Sequence, residues 1–162
     1  MPPLSGMRKS AGSGETTMKH VNPYLNFRGQ TEDAFRFYRT VFGGNEPAFI
    51  RYRDMGIGGA DDSEGSLVAH VSLPLGAETV LMGSDVSDCG ADRFSVGNNV
   101  QIYIGAEDTA EAQRLFDALA AGGTATMPLE RTSWAELFGS CIDRFGVHWM
   151  VDYTGDVQLG QN

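Results

Sequence analysis

"TEDAFRFYRTVFGG", residues 31–44, decides the fold, because its pattern returns as "TAEAQRLFDALAAGG", residues 109–123. In the first stretch Ala34, Phe37, Tyr38 and Val41 fall at spacing 0, 3, 4, 7, and in the second Ala112, Leu115, Phe116 and Leu119 do the same. That spacing places four apolar groups on one face of a helix. Each stretch opens on a Thr suited to an N-cap, carries acid in its first turn and ends at Gly-Gly, which suits a left-handed C-cap. The two start 78 residues apart (109 − 31).

Strand-like runs surround each helix in the same order. "HVNPYLNF" (20–27) precedes the first and "NNVQIYIG" (98–105) the second. After the first come 46–55, 66–74 and 78–85; after the second come 124–132, 135–143 and 147–153. The expected fold is therefore α+β, with two tandem βαβββ modules forming a curved mixed sheet. A period near 78 is too long for a solenoid repeat and reads as a duplicated module. The module boundaries fall near 18–90 and 97–157, within one domain over 18–157. Residues 1–17, rich in Gly, Ser and Thr and without periodicity, read as a disordered extension, and 158–162 as a tail.

The totals narrow the function classes. A 162-residue chain that is 41% apolar and 20% charged has ordinary soluble composition. Its net charge of −9 argues against nucleic acid, whose phosphates need a basic surface. No apolar run approaches the roughly 20 residues of a membrane helix, and the N-terminus lacks the apolar core of a secretory signal. The expectation is a cytoplasmic protein with no membrane partner. Cys89 and Cys141 have no metal or redox spacing and read as free thiols.

Period-2 alternation assigns strand faces. Val21, Pro23, Leu25 and Phe27 oppose Asn22, Tyr24 and Asn26; Leu67, Ala69, Val71 and Leu73 oppose Val68, His70 and Ser72. Val100, Ile102 and Ile104 oppose Gln101 and Tyr103; Trp149 and Val151 oppose His148 and Met150. The apolar faces belong under the helices. The other faces mix amides, hydroxyls, imidazole, thioether and phenol without Lys, Arg or Glu. That composition suits a sheltered small-molecule surface, and a plainly solvated face is the alternative. The candidate ligand-binding residues are Asn22, Tyr24, His70, Gln101, Tyr103, Trp134, His148 and Met150.

Pro23-Tyr24-Leu25, Ala34 through Phe37-Tyr38, and Asp143-Arg144-Phe145-Gly146-Val147-His148-Trp149, set in a duplicated βαβββ frame, resemble the vicinal oxygen chelate superfamily. This is the fold of glyoxalase I, extradiol dioxygenases and bleomycin-resistance proteins, and the likeness is nearest to its PhnB-like branch. Some of that branch carry a demethylubiquinone methyltransferase label, yet no glycine-rich cofactor loop follows the first strand here. The resemblance implies a homodimer with pockets at the interface. It also implies a divalent metal as cofactor, held by four inward positions that fall here on Asn22, His70, Gln101 and Met150. Only His70 and Gln101 are reasonable ligands. Asn22 is weak, Met150 is soft, and the set lacks a carboxylate. Two readings follow: a metal-assisted lyase or isomerase acting on an oxygenated metabolite, or a metal-free protein that sequesters a small molecule of the antibiotic type.

Overall fold

The structure is a computed structural model that describes residues 19–59 and 62–157. The expected extension 1–17 and tail 158–162 lie outside the described residues. Eight strands form two four-stranded mixed sheets. The first contains β1 (Tyr24–Phe27), β2 (Ala48–Arg51), β3 (Val68–Leu75) and β4 (Thr79–Asp85) in the order β1-β4-β3-β2. The second contains β5 (Ile102–Gly105), β6 (Thr124–Glu130), β7 (Leu137–Ile142) and β8 (His148–Tyr153) in the order β5-β8-β7-β6. The orders are identical, so the duplication read in the sequence holds at the level of strand pairing. In each module the first strand runs parallel to the last, and the other neighbours are antiparallel. The strands bond as two sheets, and no closed barrel forms among the described residues.

Among the described residues four α-helices accompany them, α1 (Thr31–Phe42), α2 (Ser63–Ser66), α3 (Asp88–Ala91) and α4 (Thr109–Ala120), with a 3-10 helix over Tyr52–Met55 where the sequence suggested more of the second strand. The helix starts differ from expectation. Thr31 is the first helical residue, not the cap; it is fully buried, and its N–H and Oγ1 both donate to Asp85 Oδ1, at 3.1 and 2.7 Å. A carboxylate on β4 therefore takes one orphan backbone donor of α1, together with the Thr31 hydroxyl. For α4 the cap is Asp108, whose Oδ1 accepts from the Glu111 N–H at 2.7 Å while the Glu111 carboxylate accepts from the Glu107 N–H at 2.8 Å. The first helix ends on Gly43 and Gly44, both at positive φ (82° and 93°), but the cap residue Gly43 has ψ −160° and so is not the left-handed helical cap the sequence suggested.

Strand ends are shorter than the sequence suggests. Val21 and Val100, expected on apolar faces, are 83% and 72% exposed, because pairing begins only at Tyr24 and Ile102. A β-bulge corrects one face. Ile50 pairs with His70 but Arg51 pairs with Val68, which leaves Ala69 as an extra residue. The slip turns Val68 into the core, where its N–H donates to Asp85 Oδ2 at 2.9 Å.

One hydrophobic core runs through both modules. Phe35, Tyr38, Val71, Leu73 and Leu81 supply it from the first, and Leu115, Phe116, Leu119, Trp149 and Val151 from the second. Burial of side chains of this size stabilises by ~1.5–3 kcal/mol each. The modules meet at Tyr38, whose ring packs edge-on against Trp149 with centroids 5.5 Å apart. Beside it Phe37 lies against Phe145, and Arg114 of α4 donates to the Val41 carbonyl at the end of α1 at 2.7 Å.

Candidate functional site

The chemistry-bearing side chains gather on the sheet faces turned away from the helices. Leu25, Gly83 and Val71 lie in register on the helix side of the first sheet. Alternation then sends Tyr24, Met82 and Ser72, which are also in register, to the opposite side. In the second sheet Tyr103, Met150 and Ser140 form the same row. A Tyr–Met–Ser row thus occurs twice, at equivalent places in the two modules. Sequence reasoning found Tyr24, Tyr103 and Met150, placed Ser72 on this face without making it a candidate, and missed Met82 and Ser140. A signal was present: Ser and Met stand ten apart in both halves (82 − 72 and 150 − 140).

Strand order also rearranges the implied metal quartet. The neighbour of β1 is β4, so the counterpart of Met150 is Met82, whereas His70 lies one strand further out, on β3. His70 is half-buried in a short relay: its Nδ1 is 3.3 Å from the Tyr24 hydroxyl and its Nε2 is 3.0 Å from Ser72 Oγ. Both ring nitrogens are thereby engaged. The Asn22 Oδ1 accepts from the Val80 N–H at 3.1 Å, which spends that amide on holding β4. Gln101 is exposed, immediately before β5. Among the described residues no three of His, Cys, Asp and Glu stand close enough to share an ion. A neutral, soft and already bonded donor set does not fit a hard or borderline divalent metal.

The second face carries a carboxylate that sequence reasoning left out of its candidates. Asp152 is only 5% exposed, and its Oδ2 accepts from the Tyr103 hydroxyl at 3.0 Å and from Thr154 Oγ1 at 2.9 Å. Burial, then the hydrogen bond to Asp152 and its charge, raise the Tyr103 phenol above its ordinary pKa, so it stays a neutral donor. Phe138 stands opposite Asp152 in register, and Trp134 packs edge-on against Phe138 with centroids 5.5 Å apart. His148 and Met150, both half-buried, complete this side of β8.

The candidates therefore form two groups: Tyr24 with His70 on the first sheet, and Tyr103, Trp134, His148 and Met150 on or beside the second. No hydrogen bond or ring contact among the described residues links the groups. A groove of about 640 Å³ lies elsewhere, at the β3–β4 turn. It is lined by Lys19–Asn22 and Gly76–Val80 with Pro74, and no Phe, Tyr or Trp borders it. A second groove of about 360 Å³ runs along the seam between the modules, with Tyr103 at its rim and Phe42 and Trp149 in its wall.

Asp143, in the turn before β8, is buried for a different reason. Its Oδ1 accepts from the Phe145 and Val147 N–H groups, and its Oδ2 from the Tyr38 hydroxyl and the Trp149 indole, all within 2.7–3.0 Å. The motif Asp-Arg-Phe-Gly-Val-His-Trp is thus a structural joint between modules, with both carboxylate oxygens saturated.

Comparison with known proteins agrees with this frame. A family model described as 3-demethylubiquinone-9 3-methyltransferase matches residues 19–152. Protein YjdN of Escherichia coli (strain K12) is 28% identical over 141 residues, covering 82% of this chain and 93% of that protein. The crystal structure of protein PA1353 from Pseudomonas aeruginosa superposes with a TM-score of 0.69 at 34% identity, covering 82% of this chain and 96% of the other. A putative 3-demethylubiquinone-9 3-methyltransferase, PhnB protein, from Bacillus cereus gives 0.66 at 25% identity, with 82% and 98% covered. A glyoxalase/bleomycin resistance/dioxygenase family enzyme from Burkholderia phytofirmans PsJN shares the fold, with a TM-score of 0.56 at 14% identity and 82% and 96% covered. With paired βαβββ modules and a family match that spans both, the chain belongs to the family whose model is described as 3-demethylubiquinone-9 3-methyltransferase, is similar to the PhnB protein of Bacillus cereus, and shares the fold of glyoxalase/bleomycin resistance/dioxygenase proteins.

Proposed function

We propose that the chain binds a small organic molecule against the sheet faces opposite its helices, and does so without a resident divalent metal. The observation that carries this reading is the repeated Tyr–Met–Ser row. These are polarisable and hydrogen-bonding groups on half-buried strands, and neither row contains Lys or Arg, as expected where a few directional polar groups orient an otherwise apolar ligand. The donor set argues for the metal-free form. Methyl transfer, which the family description names, has no support in the residues after β1: Arg28-Gly29-Gln30 lead straight into α1 with no glycine-rich loop.

Two copies of the chain pair in this reading, as the family resemblance implies. Tyr24 and Ile50 on the first face, each 44% exposed, and Tyr103 and Met127 on the second, 59% and 44% exposed, leave apolar surface for a second copy to cover.

A thermal-shift screen of the full chain tests the reading, using a library that spans cationic, anionic and neutral aromatic compounds. A ligand at 100-fold its Kd adds about 2.7 kcal/mol, which raises Tm by several degrees. The expected hits perturb Tyr24, Tyr103 or Met150 in NMR spectra. A library with no hit, or hits confined to the Lys19–Val80 groove, removes the proposal.

A further inference from the structure

Among the described residues three carboxylates are buried, and one of them has fewer partners than the other two. Asp85 accepts three hydrogen bonds shared over both oxygens, and Asp143 accepts four, two on each oxygen. Asp152 accepts two, both on Oδ2 and both from hydroxyl groups. Among the described residues no Lys, Arg or His nitrogen lies within ion-pair distance of it. No buried side-chain oxygen among the described residues lacks a partner, so the unbonded Oδ1 of Asp152 still reaches solvent; covering it is costly unless the covering group answers its charge. Asp85 and Asp143 meet that cost with backbone N–H, hydroxyl and indole donors that fix the fold. Both donors on Asp152 are side-chain hydroxyls, and no backbone N–H reaches it.

The surroundings indicate what would answer the charge. Asp152 sits in β8 between two aromatic neighbours: Tyr103 on one side, bonded to it, and Phe138 on the other, in register and packed edge-on by Trp134. Gly105 is the residue opposite Asp152 on β5. A Cβ built there would lie 3.7 Å from the Tyr103 ring, so the missing side chain leaves that ring space beside the carboxylate. Aromatic faces around an anion attract organic cations, through the ring quadrupole and by sheltering the charge pair from water. A metal ion would need several further oxygen or nitrogen ligands that this cluster lacks.

We infer that Asp152, flanked by Tyr103, Phe138 and Trp134, is a recognition site for an organic ammonium ion carrying apolar substituents. The inference rests on the binding reading above and specifies its ligand class. Neutral and anionic compounds of the same shape bind there more weakly, since they leave the carboxylate unanswered.

The test titrates the full-length chain with benzyltrimethylammonium, benzyl alcohol and benzoate, followed by ¹H–¹⁵N NMR with the Trp134 indole as reporter. The expected affinity order is ammonium, then alcohol, then benzoate, with shifts at Tyr103, Asp152 and Trp134. Asp152→Asn is expected to weaken the ammonium at least tenfold, whereas Glu130→Gln, on an exposed position of the same face, leaves it within twofold. The order among the three probes in the unaltered protein decides the matter even if Asp152→Asn fails to fold. Equal affinity for alcohol and ammonium at these residues overturns the charge assignment while leaving the binding reading intact. Binding of no probe on either face overturns both. Loss of dimer in Asp152→Asn, with no probe binding at this face, assigns the carboxylate to a cation of the second copy and also overturns the inference.

Discussion

Cys141 and Cys89 look equivalent in the sequence, and the structure separates them. Cys89 is exposed, while Cys141 is 1% exposed on the helix side of β7. Burial, aided by the charge of Asp143, raises the Cys141 thiol from 9.0 to about 11. A thiol that ionises later in the folded chain than in the unfolded one stabilises the fold below pH 9, and that contribution is lost as pH rises from 9 to about 11. Tyr38, raised mainly by burial and then by the Asp143 charge, acts in the same direction at higher pH. The expected outcome at pH 8 is one fast-reacting thiol per chain with an aromatic disulfide reagent, and a second only after denaturant is added. Two fast thiols in the native protein would contradict the placement of Cys141. At this scale the sequence reveals residue type but not engagement. Asp143, Asp85 and Asp152 are three aspartates near strand ends, and only the coordinates distinguish a joint, a helix anchor and a carboxylate held by two hydroxyls.

Helix α1 shows how far periodicity carries a reading. The 0, 3, 4, 7 stripe of α4 is buried at all four positions, Ala112, Leu115, Phe116 and Leu119. In α1, Ala34, Tyr38 and Val41 are buried as the same spacing expects, but Phe35 is fully buried and Phe37 only half. The cause is two-sided contact. Phe35 faces the first sheet, and Phe37 reaches Phe145 and carries the Arg144 guanidinium 4.6 Å above its ring. A single-stripe pattern assumes one partner surface, and α1 has two. The strand patterns failed for a similar reason at Ala69, where one inserted residue exchanges faces without any mark in the alternation. Close approach of α1 to β4 depends on Gly83: a Cβ there would stand 2.7 Å from Phe35 Cε2 and 2.8 Å from the Leu25 carbonyl oxygen. Gly83→Ala is therefore expected to destabilise by about 1–3 kcal/mol through overpacking. Gly105→Ala, whose nearest contact is 3.7 Å, serves as the control and should change stability by less than about 0.5 kcal/mol. Urea unfolding measures both, and equal midpoints for the two variants would show that α1 can move off the sheet freely.

At the scale of the whole molecule, module order was legible because duplication writes the same pattern twice, whereas the site was not, because strand adjacency decides which side chains meet. Placing β4 rather than β3 beside β1 replaces His70 with Met82 in the row turned away from the helices, and nothing in the spacing of helices fixes that choice. The way the modules join was also unreadable, yet it governs stability. Tyr38 of the first module donates to Asp143 of the second at 2.7 Å, and Trp149 packs against both Tyr38 and Phe42. If the modules were separated, Asp143 would lose one of its four donors, and large aromatic side chains buried at 0% exposure would meet water. Restoring water to a ring of that size costs ~1.5–3 kcal/mol, and domains of about 60–75 residues have little stability to spare. The modules should therefore fold as one unit. Near-UV signals from the aromatic joint and far-UV signals from the backbone are expected to lose amplitude at the same denaturant concentration, in one transition. Fragments 19–95 and 97–157, prepared separately, should each lack a cooperative transition. Two resolved transitions in the intact chain, or a fragment that unfolds cooperatively by itself, would mean that the shared aromatic joint contributes little and that each sheet with its helix is already a sufficient core.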